Sequence, residues 1–336
     1  MIRKNTFLLL FTIFISGLVK AQDPHFSQFF ASPLTLNPAF TGKFDGVFRL
    51  AANHRDQWPS IPKAYVTTTA SVDFSILKNK IGEYDVLGIG ISGLSDQSAD
   101  NALKLNYGSL SLSFHKAMDE DGYNTLGAGI QATYSSMNLD ITKLRFEDQL
   151  TANGFTGATS EVLTNGKTQN YLDLNAGLLF SGSSNGDNNY YLGASVYHIN
   201  RPAVGFIDQL WLLNPRFTIH GGYSTPLSDR LSVHTSAIYQ MQNQASEMVA
   251  GLAISSNING STETPTNVYV GSWLRLNDAI IPYVGLEFNN LRIGVSYDVN
   301  TSSLKAATAS RGGSEISLIY IKQKEEKGKG VPCPRF

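Results

Sequence analysis

The sequence predicts an all-β fold: a transmembrane antiparallel β-barrel of about 14 strands with an N-terminal plug segment. Three observations predict it. The chain opens like an export signal, with Arg3 and Lys4 ahead of the apolar run Phe7–Val19 and small side chains at Val19 and Ala21. Residues 1–21 therefore read as a signal peptide, with Gln22 as the mature start. No later stretch offers the ~18 consecutive apolar residues of a membrane helix. The rest of the chain is instead a long series of Gly-, Ser-, Thr- and aromatic-rich segments of alternating polarity, the pattern of an outer-membrane barrel.

Composition agrees. The chain has 42% hydrophobic and 16% charged residues, against about 25% charged in soluble domains. The shortfall suits a wall with one face toward lipid. The formal charge of −1 falls to −4 once Arg3, Lys4 and Lys20 are removed, so no nucleic-acid partner is expected. Cys333 is the single cysteine, so there is no internal disulfide framework. No cysteine follows the apolar run for lipid attachment, which leaves the barrel itself as the anchor.

Period-2 alternation is clearest in Leu291–Asp298. Leu291, Ile293, Val295 and Tyr297 form the outward set, and Arg292, Gly294, Ser296 and Asp298 the inward one. Arginine and aspartate on one strand face suit a polar lumen better than the apolar core of a sandwich. Tyr65–Ser75, Tyr171–Ser181 and Arg216–Thr225 repeat the pattern. The remaining candidates are Val47–His54, Val86–Ser92, Leu103–His115, Tyr123–Met137, Tyr190–His198, Leu231–Gln240, Met248–Ser255, Val268–Arg275, Ala279–Phe288 and Glu315–Ile321. In Leu103–His115 the apolar set changes phase at Gly108, which reads as a bulge. Tyr190, Tyr191, Tyr197, Trp273 and Tyr283 sit near strand ends, where interfacial girdles belong.

Asn289-Asn290 and Leu227–Arg230 read as tight hairpins. The long connections are Asn138–Asn170, Asn200–Pro215 and Asn300–Gly313, and Leu139–Leu150 inside the first reads as a short surface helix. Phe206, Leu210, Trp211 and Leu213 make the second unusually apolar, either to fold onto the barrel rim or to dock a partner.

Catalytic and cofactor chemistry is not expected. Gly88-Ile-Gly90-Ile-Ser-Gly93 matches a dinucleotide pattern but lies within an alternating strand with no helix after it. The six histidines have no metal-ligand spacing, and no nucleophile elbow is present. These residues point to no enzyme, cofactor or metal.

The two ends are more distinctive. Residues 22–46 carry three prolines and no alternation, which argues against a strand. Phe26, Phe29, Phe30 and Phe40 argue against a disordered tail, so the segment reads as a plug inside or beneath the barrel, together with Asn37 and Pro38. Arg55, close to Trp58, reads either as a stacked ligand contact or as a cation paired with a lumen carboxylate. The barrel spans residues 47–321. Residues 322–336 form a charged tail, either solvated or a periplasmic docking peptide with Cys333 between two prolines and Phe336 as an anchor.

Several segments resemble the PorP/SprF family of Bacteroidota outer-membrane proteins. They are QDPHFSQFF, PLTLNPAFTG, NHRDQWPSIP, LGASVYHINRP, GVSYDVNTSSL, GGSEISLIY and the closing VPCPRF. Many relatives have His-Glu where this chain has Ser314-Glu315. The resemblance implies an outer-membrane component of the type IX secretion and gliding-motility machinery. Its implied partners are other machinery components, outer-membrane lipid and a secreted adhesin bound through a C-terminal sorting domain. The chain looks most like the SprF-like, client-specific group. A PorP-like core barrel linked to a periplasmic ring is the alternative within the family. A FadL-like channel for apolar solutes is the alternative outside it, given Asn37-Pro38-Ala39 near the position of the hatch in such channels. The family supplies no catalytic residues. Phe26, Phe29, Phe30, Asn37, Pro38, Phe40, Arg55, Trp58, Phe206, Leu210, Trp211, Cys333 and Phe336 are the expected interaction residues.

Overall fold

Alternating polarity leaves a strand with one apolar and one polar face, and closing a sheet into a barrel sorts those faces without leaving an open edge. The computed structural model describes residues 23–61, 64–77, 80–160, 167–206, 209–261 and 264–323. Fourteen antiparallel strands form one closed barrel. They are β1 (Phe48–Gln57), β2 (Tyr65–Ile76), β3 (Val86–Ser98), β4 (Leu103–Ala117), β5 (Thr125–Leu139), β6 (Lys167–Ser183) and β7 (Asn189–Tyr197), then β8 (Arg216–Pro226), β9 (Leu231–Gln242), β10 (Ala245–Asn257), β11 (Asn267–Arg275), β12 (Ala279–Phe288), β13 (Leu291–Asn300) and β14 (Arg311–Lys322). Each pairs with its sequence neighbours, and β14 closes on β1 from Phe48↔Lys322 to Gln57↔Gly313. Every candidate segment read from the sequence falls on one of these strands.

The faces divide as alternation requires. Ile130, Leu172, Leu178, Leu192 and Val270 are exposed on the outside, while Ser111, Thr133, Asp173, Thr218 and Asp298 are buried inside. An apolar belt of this extent is costly in water at ~25 cal/mol per Å² and costs nothing against lipid tails. No helix among the described residues is long and apolar enough to cross a membrane; this is a membrane β-barrel, which crosses with strands.

Three local expectations are corrected. Gly108 is not a bulge: β4 keeps unbroken register with β3 and β5. The apparent phase change arises because the outward row leaves the apolar belt there, passing from Phe114, Leu112 and Leu110 to Asn106 and Lys104, while Leu105 and Tyr107 line the interior. The shift in the β13–β14 ladder falls between Asp298 and Val299, opposite Gly312, where a Cβ would crowd the Asp298 carbonyl oxygen at 2.6 Å. Next, Tyr191, Tyr197, Trp273 and Tyr283 are buried, not girdle residues. They have inward parity, so their rings face the chain inside the barrel. Finally, Leu139–Leu150 forms two short 3-10 turns, Ile141–Lys143 and Glu147–Gln149, and no continuous helix.

The wall is uneven. β3, β4, β5 and β6 have 13, 15, 15 and 17 residues, whereas β7 has 9. Above the apolar belt, four strands share two polar outward rungs. One is Ser95–Asn106–Ser136–Asn170 and the other Gln97–Lys104–Asn138–Thr168. At 3.3 Å per residue this rim projects roughly 10 Å or more beyond the belt.

Candidate functional site

Residues 23–46 run along the inward faces of the strands. Prolines at the first positions of the short helix Pro33–Leu36 and of the 3-10 turn Pro38–Phe40 preset φ and remove amides that have no helical partner. Asn37 caps the second turn by accepting from the Ala39 amide at 2.8 Å, and its Nδ2 donates to the Leu178 and Ala194 carbonyls at 2.9 and 3.2 Å. Glycines let this backbone approach the wall. A Cβ at Gly129 would collide with Pro38 and Ala39, and one at Gly88 with Thr41. Gly88, the first glycine of the dinucleotide-like motif, thus serves close backbone packing.

Aromatic residues key the segment into the wall. Phe30 lies 4.8 Å from the Trp273 ring and 5.5 Å edge-on to Tyr283. Phe40 meets Tyr191 edge-on at 5.6 Å and His220 at 5.2 Å. Phe26 and Phe29 are buried beside them.

Charge supplies the rest. Asp298 accepts from Arg55 at 2.9 Å, Arg275 at 2.8 Å and the Ser27 hydroxyl at 2.8 Å. Glu315 accepts from the Ser27 and Gln28 amides at 2.7 and 3.1 Å and from Asn53 at 3.2 Å. Glu247 pairs with His25 at 2.9 Å and Arg275 at 3.2 Å. Arg49 grips Asp73 through Nε at 3.0 Å and Nη2 at 2.8 Å, and Asp73 also accepts from the Gly42 amide at 2.7 Å. Arg49, Arg55, Asp73, Arg275, Asp298 and Glu315 are buried, where a charged group left without a partner is costly. At the rim that carries the longer connections, Asp23 pairs with His198 at 2.6 Å and Arg216 at 3.4 Å, and accepts from Gln242 at 3.1 Å. His198 also meets Asp173 at 2.9 Å. Burial lowers the His198 pKa, but Asp23 and Asp173 outweigh it and hold the imidazole up at about 9. Burial raises the Asp23 carboxyl, yet His198 and Arg216 hold it well below the ordinary carboxylate range.

Phe26, Phe29, Phe30, Asn37, Pro38, Phe40 and Arg55 are thus brought together, all against partners within the chain. Of the two readings of Arg55, the structure has the lumen carboxylate, not Trp58. The Trp58 ring instead packs edge-on against Tyr65 at 5.5 Å. Among the described residues, no group of three or more His, Cys, Asp and Glu is arranged to hold a metal ion.

Residues 18–320 match the family described as type IX secretion system membrane protein PorP/SprF. The chain belongs to that family. No curated protein matches it in sequence. Similar solved structures include the Ralstonia pickettii toluene transporter TbuX, at 13% identity over 87% of this chain and 94% of that one, with a TM-score of 0.47. The CymD monoaromatic hydrocarbon channel has 12% identity, 88% and 94% coverage and a TM-score of 0.48. A FadL homologue from Pseudomonas aeruginosa has 11% identity, 84% and 92% coverage and a TM-score of 0.46. Likeness at that level carries no argument about activity.

The other expected interaction residues of this PorP/SprF-family barrel lie apart from the buried segment. Phe206 is half-buried and Leu210 and Trp211 are exposed, on a hairpin of Ala203–Phe206 and Gln209–Leu212 beside β6. Residues 1–21, Cys333 and Phe336 lie outside the described residues. Sequence reasoning passed over Asp23, Arg49, Asp73, His198, Arg216, Glu247 and Arg275 as site residues. Their signal was present in part, as ionisable side chains at inward parity or in the proline-rich segment. Their pairing depends on which strands become neighbours.

Proposed function

We propose that the protein is an outer-membrane component of the type IX secretion and gliding machinery, SprF-like, which binds a secreted adhesin through its C-terminal sorting domain for export or surface attachment. Family membership supports the secretion role. The observation that carries the docking role, as opposed to solute flow, is the buried Arg55–Asp298–Arg275–Glu247 network with Glu315, which fastens residues 23–46 across the interior. On this reading that segment is a plug, and clients engage the rim with the longer connections, which faces outward as in other outer-membrane barrels. The apolar Leu210 and Trp211 are then free for contact.

The test is a mild-detergent pull-down of the tagged barrel from its own outer membrane, with mass spectrometry and bilayer conductance. Recovery of a large exported protein with a sorting domain, without steady conductance, supports the proposal. Ring components without such a client make it a PorP-like core barrel. Neither partner, together with open-pore conductance, replaces it with the channel reading.

A further inference from the structure

The N-terminal segment does not fill the whole interior. A cavity with about 500 Å³ of empty space lies between Pro24 and Thr35 of the segment and the inward faces of β3 to β8. Its walls belong to the strand ends that carry the longer connections. Tyr107, Tyr171, Asp23 and Arg216 are only half-buried around it, so it opens at that rim.

Much of the polar lining is already committed. Asn175 Nδ2 donates to Gln131 Oε1 at 2.9 Å, and Gln131 Nε2 donates to the Leu34 carbonyl at 3.2 Å. The Tyr197 hydroxyl donates to the same carbonyl at 3.2 Å, and the Arg216 guanidinium covers its ring at 4.3 Å. Two buried atoms of the lining have no hydrogen-bond partner among the described residues. They are Asp173 Oδ1, on a side chain that is only 4% exposed, and Arg216 Nε. A buried polar atom left unpaired is costly, so one acceptor and one donor facing a common space call for a ligand that supplies both.

The chemistry of the lining narrows that ligand. Asp23 and Asp173 are offset by Arg216 and by His198, which both carboxylates hold protonated. An anion would meet the free oxygen of Asp173, a cation would meet Arg216, and an apolar solute would satisfy neither. A hydroxyl both donates and accepts. The free atoms sit on β6 and at the start of β8, and the half-buried rings of Tyr107 and Tyr171 stand on β4 and β6. Polar groups spread around a cup with aromatic walls suit a ring with hydroxyls around its edge and C–H groups on its faces. An extended peptide instead presents its polar groups in a row.

We propose that this cavity binds a neutral sugar unit, with Asp173 Oδ1 and Arg216 Nε taking its hydroxyls and Tyr107 and Tyr171 packing on its faces. The site goes beyond the docking reading and does not depend on it, since the sugar is held whether it is free, carried by a surface polysaccharide or carried by a glycosylated protein.

The test is saturation-transfer NMR on the purified full-length barrel in a detergent without a sugar headgroup. The probes are glucose, galactose, mannose and N-acetylglucosamine, with glucosamine and glucuronate as charged counterparts. At least one neutral sugar should bind saturably, with the charged pair roughly ten-fold weaker or more. Arg216→Lys keeps a cation for Asp23 but removes Nε, and should weaken binding roughly five-fold. Tyr107→Ala should weaken it further. Heat-modifiable migration on gels reports folding, and if Tyr107→Ala fails to fold, Arg216→Lys decides alone. Saturation by no neutral sugar means that water alone fills the cavity and overturns the proposal. Equal binding of the charged pair, or unchanged binding in folded Arg216→Lys, overturns it too, as does equal displacement by a Gly-Ser peptide. Displacement by polysaccharide extracted from the same cells, or by glycopeptides of exported proteins, supports the site and names the source. Saturable binding that neither displaces supports a free saccharide.

Discussion

The buried N-terminal segment and the exposed rim hairpin are built from similar residues and put them to opposite uses. Both are rich in aromatic and aliphatic side chains. In the segment, Phe26, Phe29, Phe30 and Phe40 are packed against the wall and tied down by charged groups on both sides. In the hairpin, Leu210 and Trp211 project from a two-stranded ribbon joined to the barrel through residues 199–202 and 213–215. Apolar content therefore does not identify a docking surface in this chain. What separates the regions is whether buried carboxylates and arginines hold the backbone in place.

The largest effect is expected from removing the shared carboxylate. Asp298→Ala removes the carboxylate that Arg55 and Arg275 share, leaving Arg275 with Glu247 and Arg55 with only Glu315 at 3.9 Å, and lowers barrel stability by about 3 kcal/mol. Urea titration read by heat-modifiable migration measures this, and Asp298→Asn, which keeps the hydrogen bonds, loses less. Equal losses for both would remove charge from the argument. Asn37→Ala removes the cap on the Ala39 amide and two side-chain bonds to strand carbonyls, at about 1–3 kcal/mol in the same assay.

A smaller effect separates the rim end of the segment from its middle. The folded His198 pKa of about 9 lies above its ordinary value of 6.5. The protonated imidazole therefore contributes stability in full below pH ~6.5, and that contribution is lost as pH rises through about 9. Protease cleavage near Asp23 and Pro24 should increase between pH 7 and 10, and His198→Gln should flatten the profile. A wild-type profile already flat over that range breaks the assignment. The lowered Asp23 pKa acts in the opposite direction: its contribution is present above the ordinary carboxylate value and lost only in strong acid.

The smallest stability effect is expected at the hairpin. Leu210→Ser with Trp211→Ser should change barrel stability by no more than about 0.5 kcal/mol, while partner recovery falls several-fold. A large loss of stability would place these residues in the packed structure and erase the contrast with the buried segment.

Much of the barrel was legible because lipid and lumen impose a two-residue period that survives in the sequence. That period located the fourteen strands and set Asp298 and Arg292 on an inward face. It misled where the outward row crosses from lipid to water, since leaving the belt at Gly108 looks like a change of phase. It also misplaced Tyr191, Tyr197, Trp273 and Tyr283, because position along a strand was weighed above parity.

The sequence by itself determined the strands, their two faces and the distinct character of residues 22–46, because each is a local property of spacing and composition. Only the tertiary structure decided that Arg55 meets Asp298 across 243 positions, and that Glu315 meets Ser27 across 288. It also decided that β6 outlasts β7. Those outcomes depend on which strands become neighbours when β14 closes on β1, and no local pattern encodes the partner of a buried charge.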